Sequence, residues 1–200
     1  MGKQSEAFLS GEGNAWYERN KLKSNPDPVL AVIKQLDIKP KSVFEVGCGD
    51  GKRLMALHQE YRTQCMGLDA SRTAVDIAKR YAPIRVWHST AINMPIGSVE
   101  MVIFGFCLYV CDPEELTQIV ANGDRLLKEG GHLIIHDFLP EAPCYRPYHH
   151  KDGIKSYKMD HAKLWLAHPA YSMVHREVLA DGVAVTVLQK NMEHAFPRED

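Results

Sequence analysis

The sequence predicts an α/β protein built on a doubly wound (Rossmann-like), mostly parallel sheet of seven strands that ends in an antiparallel hairpin. Three observations carry that expectation. The apolar run Val43, Phe44 and Val46 feeds the glycine turn Gly47-Cys48-Gly49-Asp50-Gly51, so a short buried strand is delivered into a helix. Further apolar strands alternate with N-capped helices as far as Phe138, and repeated βα units of this length wind right-handed around a parallel sheet. Near the end, two β-rich runs at 173–179 and 183–190 flank Ala180-Asp181-Gly182, and Asp-Gly between strands marks a tight antiparallel turn.

Each element has a local reason. Asp27 before Pro28 reads as an N-cap followed by proline at the first helical position, and the stripe Val29, Leu30, Val32, Ile33 and Leu36 then packs on the sheet. After the glycine turn comes a helix over 53–61, and the second strand, 64–69, ends in the carboxylate of Asp69. Ser71 caps a helix to Tyr81 that turns Ala74, Val75, Ile77 and Ala78 inward, and Pro83 closes it before a strand at 84–88. The run 99–108 is almost wholly apolar, as a central parallel strand covered on both faces must be. Asp112-Pro113-Glu114-Glu115 supplies an N-cap, a first-turn proline and a capping-box glutamate for a helix to Lys128; Gly130-Gly131 stops it, and 132–138 is the fifth strand.

At 200 residues the chain suits one domain over 1–200, with 1–25 as an N-terminal cap segment. Twenty-four basic against twenty-five acidic side chains give a formal charge of −1, so no global field draws nucleic acid or anionic membrane. Five cysteines without a C-x-x-C argue against both a disulfide framework and a zinc ribbon. The N-terminus lacks the apolar core of a signal peptide, and the longest apolar run is shorter than the roughly 20 residues of a bilayer span, so a soluble cytoplasmic protein is expected.

The glycine spacing selects the ligand. A dinucleotide turn of the form G-x-G-x-x-G would need its third glycine at position 52, which is Lys52. The pattern Glu45-x-Gly47-x-Gly49-x-Gly51 instead resembles the first motif of the class I S-adenosylmethionine-dependent methyltransferases, whose parallel sheet also finishes with an antiparallel strand. That resemblance implies S-adenosylmethionine as methyl donor and S-adenosylhomocysteine as product. Asp69, at the end of the second strand, is placed to accept both ribose hydroxyls, with Cys48 and Ala70 beside the same ligand. In the resembled family the residue matching Glu45 organises the loop and commonly contacts the methionine part.

His88 to Pro95 falls in the family's adenine segment; Ala91, Met94 and Pro95 fit it, while Thr90 stands where the family tends to carry Asp. Phe104-Gly105-Phe106 falls where the family lines the sulfonium, and Tyr109 where an acceptor-facing residue often stands. In the N-terminal segment Trp16 and Tyr17 are expected over the cofactor and Arg19 against its carboxylate, although the same residues suit a surface helix with two buried aromatics. The segment also resembles the N-terminus of methylases associated with bacterial surface-sugar pathways.

Methyl transfer needs in-line alignment and, for a hydroxyl acceptor, removal of a proton. Residues 139–159 contain Pro140, Pro143 and Pro147 with Tyr145, Tyr148, His149, His150 and Tyr157, and are expected to form an acceptor lid above the strand ends. His136 ends the fifth strand as the natural general base; the candidate catalytic residues are His136, Tyr109, His149, His150 and Tyr157. His149, His150, Asp152, Asp160 and His161 match no defined metal-site spacing, and no metal is expected. The expected activity is methylation of an oxygen or nitrogen of a small molecule, a sugar or sugar nucleotide being one candidate. The expected partners are that small-molecule acceptor, no nucleic acid and no membrane, with the chain a monomer or homodimer. Two alternatives stand beside this: a non-catalytic S-adenosylmethionine-binding module, and an NAD-dependent oxidoreductase, against which Lys52 and the terminal hairpin count.

Overall fold

The computed structural model of the protein describes residues 1–22, 26–81 and 83–197. Its strands are β1 (Ser42–Val46), β2 (Gln64–Asp69), β3 (Ile84–His88), β4 (Val99–Gly105), β5 (Leu127–Phe138), β6 (Cys144–Pro147), β7 (Lys155–Lys158), β8 (Tyr171–Val178) and β9 (Val183–Lys190). Seven of them form one sheet in the order β3-β2-β1-β4-β5-β9-β8. The first five in that order pair in parallel, whereas β9 runs antiparallel to both β5 and β8. The fold expectation is met: a mostly parallel, doubly wound sheet closed by an antiparallel hairpin. Chain order reverses beside β1, with β2 on one side and β4 on the other, and ligands of such sheets lie outside the strand C-termini at that point.

Alternation along the strands builds two cores. Phe44, Val46, Val102, Phe104, Leu133 and Ile135 face one side, packed with Ile119, Leu126 and Trp165 from α6 (Leu116–Leu126) and α7 (Ala162–Leu166). Val43, Met101, Ile103 and Ile134 face the other, under α3 (Pro28–Gln35), α4 (Lys52–Tyr61) and α5 (Arg72–Ala78). Asp27 accepts from the amides of Val29 and Leu30, and Ser71 from that of Ala74, so both side-chain caps form as the sequence implies.

Four boundaries differ. The Ser71-capped helix ends at Ala78 and unwinds through turns to Tyr81. β4 stops at Gly105 because Phe106 takes a positive φ of 58° and Leu108–Val110 forms a 3-10 turn. Helix α6 ends at Leu126 and passes straight into β5; Gly130, at φ 72°, is absorbed in an irregularity where the β4–β5 register slips between Val99 and Met101. Residues 139–159 are partly ordered as the antiparallel β6–β7 hairpin.

A fifth difference bears on the site. The capping box at Asp112–Glu115 does not form, and Asp112 makes no side-chain cap to its own helix. Its carboxylate instead accepts from the amides of Gln4 and Ser5, at 2.9–3.1 Å, in the first turn of α1 (Lys3–Ala7). Glu115 turns the same way, accepting from the Gly2 amide and the Ser5 hydroxyl. Both carboxylates serve a helix a hundred residues away, where they meet the positive end of its dipole.

Candidate active site

The loop after β1 is shaped by three glycines, all at positive φ. At Gly47 a β-carbon would lie 2.9 Å from Cys107 Cβ, so the chain itself forbids one there; at Gly49 the same atom meets nothing within 4 Å and would project into open space. Asp69 fixes the loop: Oδ2 accepts from the Gly49 amide at 2.8 Å and Oδ1 from the Ser71 amide at 2.7 Å. Each oxygen keeps a further lone pair, and Asp69 lines a cavity. Burial pushes the Asp69 carboxyl up, against these two amides.

On the other side of the loop Glu45 is 1% exposed and pairs with Arg53, which also reaches Asp27 at 2.8 Å. Burial pushes the Glu45 carboxyl up to about 7 against the pull of Arg53. Its Oε2 has no partner among the described residues, and neither has the buried hydroxyl of Thr90. A buried acceptor or donor left open is costly unless a ligand completes it.

Two adjoining cavities occupy the strand ends. One is lined by Asp69, Ala70, Ser89, Thr90 and Ala91, with Gly47 and Gly49 as its floor; the other by Asp27, Glu45, Cys48, Asp50, Arg53 and His136. Trp16, Gly47, Gly49, Gly105 and Phe106 belong to both and form the passage between them.

The N-terminal segment roofs this passage. A π-turn, Phe8–Glu12, bends it at Gly11, and α2 (Gly13–Asn20) continues across the rim. Asn14 Oδ1 accepts from the Ser71 hydroxyl and the Thr73 amide, Tyr17 donates to Asp50 at 3.1 Å, and Trp16 Nε1 donates to the Tyr109 hydroxyl at 3.2 Å. Gln4, Ser5 and Phe8 line the cavity too, and nothing in their side chains as a sequence pattern advertised that.

An aromatic cluster closes the outer side. The Phe106 ring lies 5.0–5.3 Å from those of Tyr109, His136 and Phe138. Asp137 holds this corner by accepting from the amides of Leu108, Tyr109 and Phe138; burial pushes its carboxyl up to about 7 against those three bonds. His136 Nδ1 is buried without a partner among the described residues. Burial, with the charge of Arg53, holds this imidazole down to about 4.

The other sequence candidates fall elsewhere. Phe104 is fully buried against Trp165, with ring centroids 5.2 Å apart, so it belongs to the core because β4 alternation turns it away from the passage. Arg19 is spent on Glu12 and the Tyr148 hydroxyl. Gly51 lines neither cavity; a β-carbon there would strike Ile84 at 2.6 Å, which makes it a packing glycine. His149, His150 and Tyr157 lie on the β6–β7 hairpin, outside both cavities. Tyr109 is in the cavity wall, and burial pushes its hydroxyl up so that it stays protonated.

Strand order, glycine loop and antiparallel terminal hairpin are those of the class I S-adenosylmethionine-dependent methyltransferase fold. Residues 43–131 match the family described as "Methyltransferase domain". Among curated proteins the chain is similar to the tRNA N(3)-methylcytidine methyltransferase trm140 of Schizosaccharomyces pombe, 24% identical over 145 residues, 66% of this chain and 47% of that one. It is also similar to the tRNA(Thr) (cytosine(32)-N(3))-methyltransferase of Saccharomyces cerevisiae, 25% identical over 127 residues, 56% of this chain and 20% of that one. The chain thus spans about half or less of these relatives' length.

Among solved structures, the 1,6-didemethyltoxoflavin-N1-methyltransferase of Burkholderia thailandensis, with bound S-adenosylhomocysteine, superposes with a TM-score of 0.76 at 16% identity, over 93% of this chain and 88% of that one. The expectation of no nucleic-acid partner does not stand: the curated relatives are tRNA methyltransferases, and a net charge averaged over the chain says nothing of how charge is distributed. Among the described residues, no helix is long and apolar enough to cross a membrane.

Proposed function

We propose that this chain transfers the methyl group of S-adenosylmethionine to a ring nitrogen of a planar heterocycle, a nucleobase of RNA being the acceptor class. One observation carries the reading: the passage between the cavities ends on a wall of clustered rings, Phe106, Tyr109 and Phe138, packed tilted and edge-on to one another beside an imidazole held neutral. A flat acceptor suits that wall. His136 at about 4 is a poor base near neutrality, which favours an acceptor whose attacking atom already carries a free lone pair, as a pyridine-type ring nitrogen does and a hydroxyl does not. The curated relatives are named for N3 of cytosine.

When bound, S-adenosylmethionine supplies an electrophilic methyl on a sulfonium sulfur; the nitrogen lone pair forms the new N–C bond as the S–C pair returns to sulfur. In this reading Asp69 holds the ribose, Thr90 the adenine and the open Oε2 of Glu45 the amino group of the donor. Trp16 covers the passage against water, and Phe106 and Tyr109 orient the acceptor.

The test is methyl transfer from labelled donor to tRNA, to free pyrimidine and purine nucleosides, and to hydroxyl acceptors including sugar nucleotides. Label on a ring nitrogen is expected. Label appearing only on oxygen overturns the acceptor; no release of S-adenosylhomocysteine with any of them, while the donor still binds, favours a non-catalytic binding module.

A further inference from the structure

The β6–β7 hairpin carries Arg146, Lys151, Lys155 and Lys158 against the single carboxylate of Asp152, in a chain whose formal charge is −1. Arg146, Lys151 and Lys155 are exposed, and none of the four cations is in an ion pair among the described residues. Tyr145 is 61% exposed, with its ring 6.1 Å from that of Tyr157 and Lys155 Nζ 4.4 Å above it. Lys158 Nζ sits 3.5 Å over the Phe138 ring, and Phe138 is part of the wall that ends at Phe106. Hairpin and acceptor wall are therefore one continuous surface, basic outside and aromatic within. In the adjoining cavity Asp27 and Glu45 are paired with Arg53 and Asp50 with Lys52, so each of its carboxylates already has a cation.

We infer that this hairpin is the grip for a single-stranded RNA segment, its cations on the phosphates and Tyr145 stacked on a base flanking the one that enters the passage. The inference rests on the proposed base methylation and deepens it. A ring nitrogen inside a duplex cannot reach a recessed methyl group, so the target base must be unpaired or turned out, and its neighbours then need a platform. Unpaired cations interleaved with an exposed aromatic ring supply that platform: charge follows the backbone, and the ring accepts any base.

The hairpin is also tied to the roof of the site. The Lys155 amide donates to Gln4 Oε1 at 2.7 Å, Tyr148 donates to Glu12, and the Phe8 and Tyr148 rings are 5.9 Å apart.

The measurement is fluorescence anisotropy of a labelled single-stranded oligoribonucleotide containing one cytidine, across salt, with S-adenosylhomocysteine present. Arg146→Gln/Lys151→Gln/Lys155→Gln should weaken binding at least tenfold and flatten the log–log salt slope by about 2, at roughly 0.7 per phosphate contact. Tyr145→Ala should weaken it roughly five- to a hundredfold. Lys34→Gln/Lys128→Gln/Lys163→Gln, the same charge removed from exposed positions elsewhere, should change little. The thermal shift with S-adenosylhomocysteine should be the same in all of them, which establishes folding.

Absence of RNA binding by the unaltered protein overturns the inference, as does equal weakening by the two triple variants. Methylation of a free nucleoside without RNA binding would leave ring-nitrogen methylation standing and remove both RNA as its acceptor and the hairpin's role. Hairpin-dependent RNA binding without methylation would do the reverse.

Discussion

Phe106 holds a bulky side chain at φ 58°, a left-handed conformation that costs an ordinary residue about 1–2 kcal/mol. The Asp137 carboxylate, which fixes Leu108 and Tyr109 just beyond it through their amides, stabilises it, and the result is a ring at the junction of both cavities. Asp69 has a comparable double task, tying the loop amide at Gly49 while keeping lone pairs for a ligand. At about a hundred times its Kd a ligand adds about 2.7 kcal/mol, and at this size each kcal/mol moves Tm by roughly 2–4 °C. S-adenosylhomocysteine should therefore raise Tm by several degrees, NAD should not, and Asp69→Ala should remove most of the shift. Phe104→Ala should behave oppositely: a loss of about 3–5 kcal/mol in urea unfolding, from its place against Trp165, with the ligand shift kept. If Phe104→Ala abolished the shift in folded protein, its assignment to the core would be wrong.

At the scale of elements, the N-terminal roof is held by side chains that belong to other helices. Asp112 supplies the cap that α1 lacks, so Asp112→Ala should cost about 1–2 kcal/mol, the upper range for a helix cap, and should also weaken S-adenosylhomocysteine, because Gln4, Ser5 and Phe8 line its cavity. Asp112→Asn should restore most of both; unchanged ligand affinity in Asp112→Ala would show that the roof contributes no binding. This is also where sequence reading reached its limit. Strand positions, the caps at Asp27 and Ser71 and the Asp69 carboxylate were legible because each depends on neighbours within a few residues. Asp112-Pro113-Glu114-Glu115 has every local mark of a capping box, yet its carboxylates serve amides 107 or more residues away, a pairing only the folded chain can create. His149 and His150 looked catalytic by composition, but the turn that displays them lies beyond the wall, and that distance is set by β6–β7 pairing.

Across the whole molecule, buried titratable groups oppose one another in acid. His136 and His161 are held near 4 by burial, below their ordinary 6.5; His161 has neither ring nitrogen partnered among the described residues, and Asp160 only partly offsets its burial. Their contribution to stability is present above pH 6.5 and is lost as pH falls toward 4, because the unfolded chain takes up protons that the folded one refuses. Glu45 and Asp137 are raised to about 7, so theirs is present below about 4 and is lost as pH rises through 7. Between about pH 4 and 6.5 two imidazoles and two carboxyls thus pull the slope in opposite directions, and the four together leave stability nearly flat. Removing one imidazole should expose the balance. His161→Leu, compared with the unaltered protein by urea unfolding, should gain relative stability on acidification from pH 7.5 to 5, by about 2 kcal/mol at about 1.4 kcal/mol per pH unit below 6.5. His161 is 2% exposed, so solvent screening takes little from that figure. A stability difference that stayed constant between pH 7.5 and 5 would mean that the folded protein takes up the His161 proton as readily as the unfolded chain does, and that burial does not hold the imidazole down.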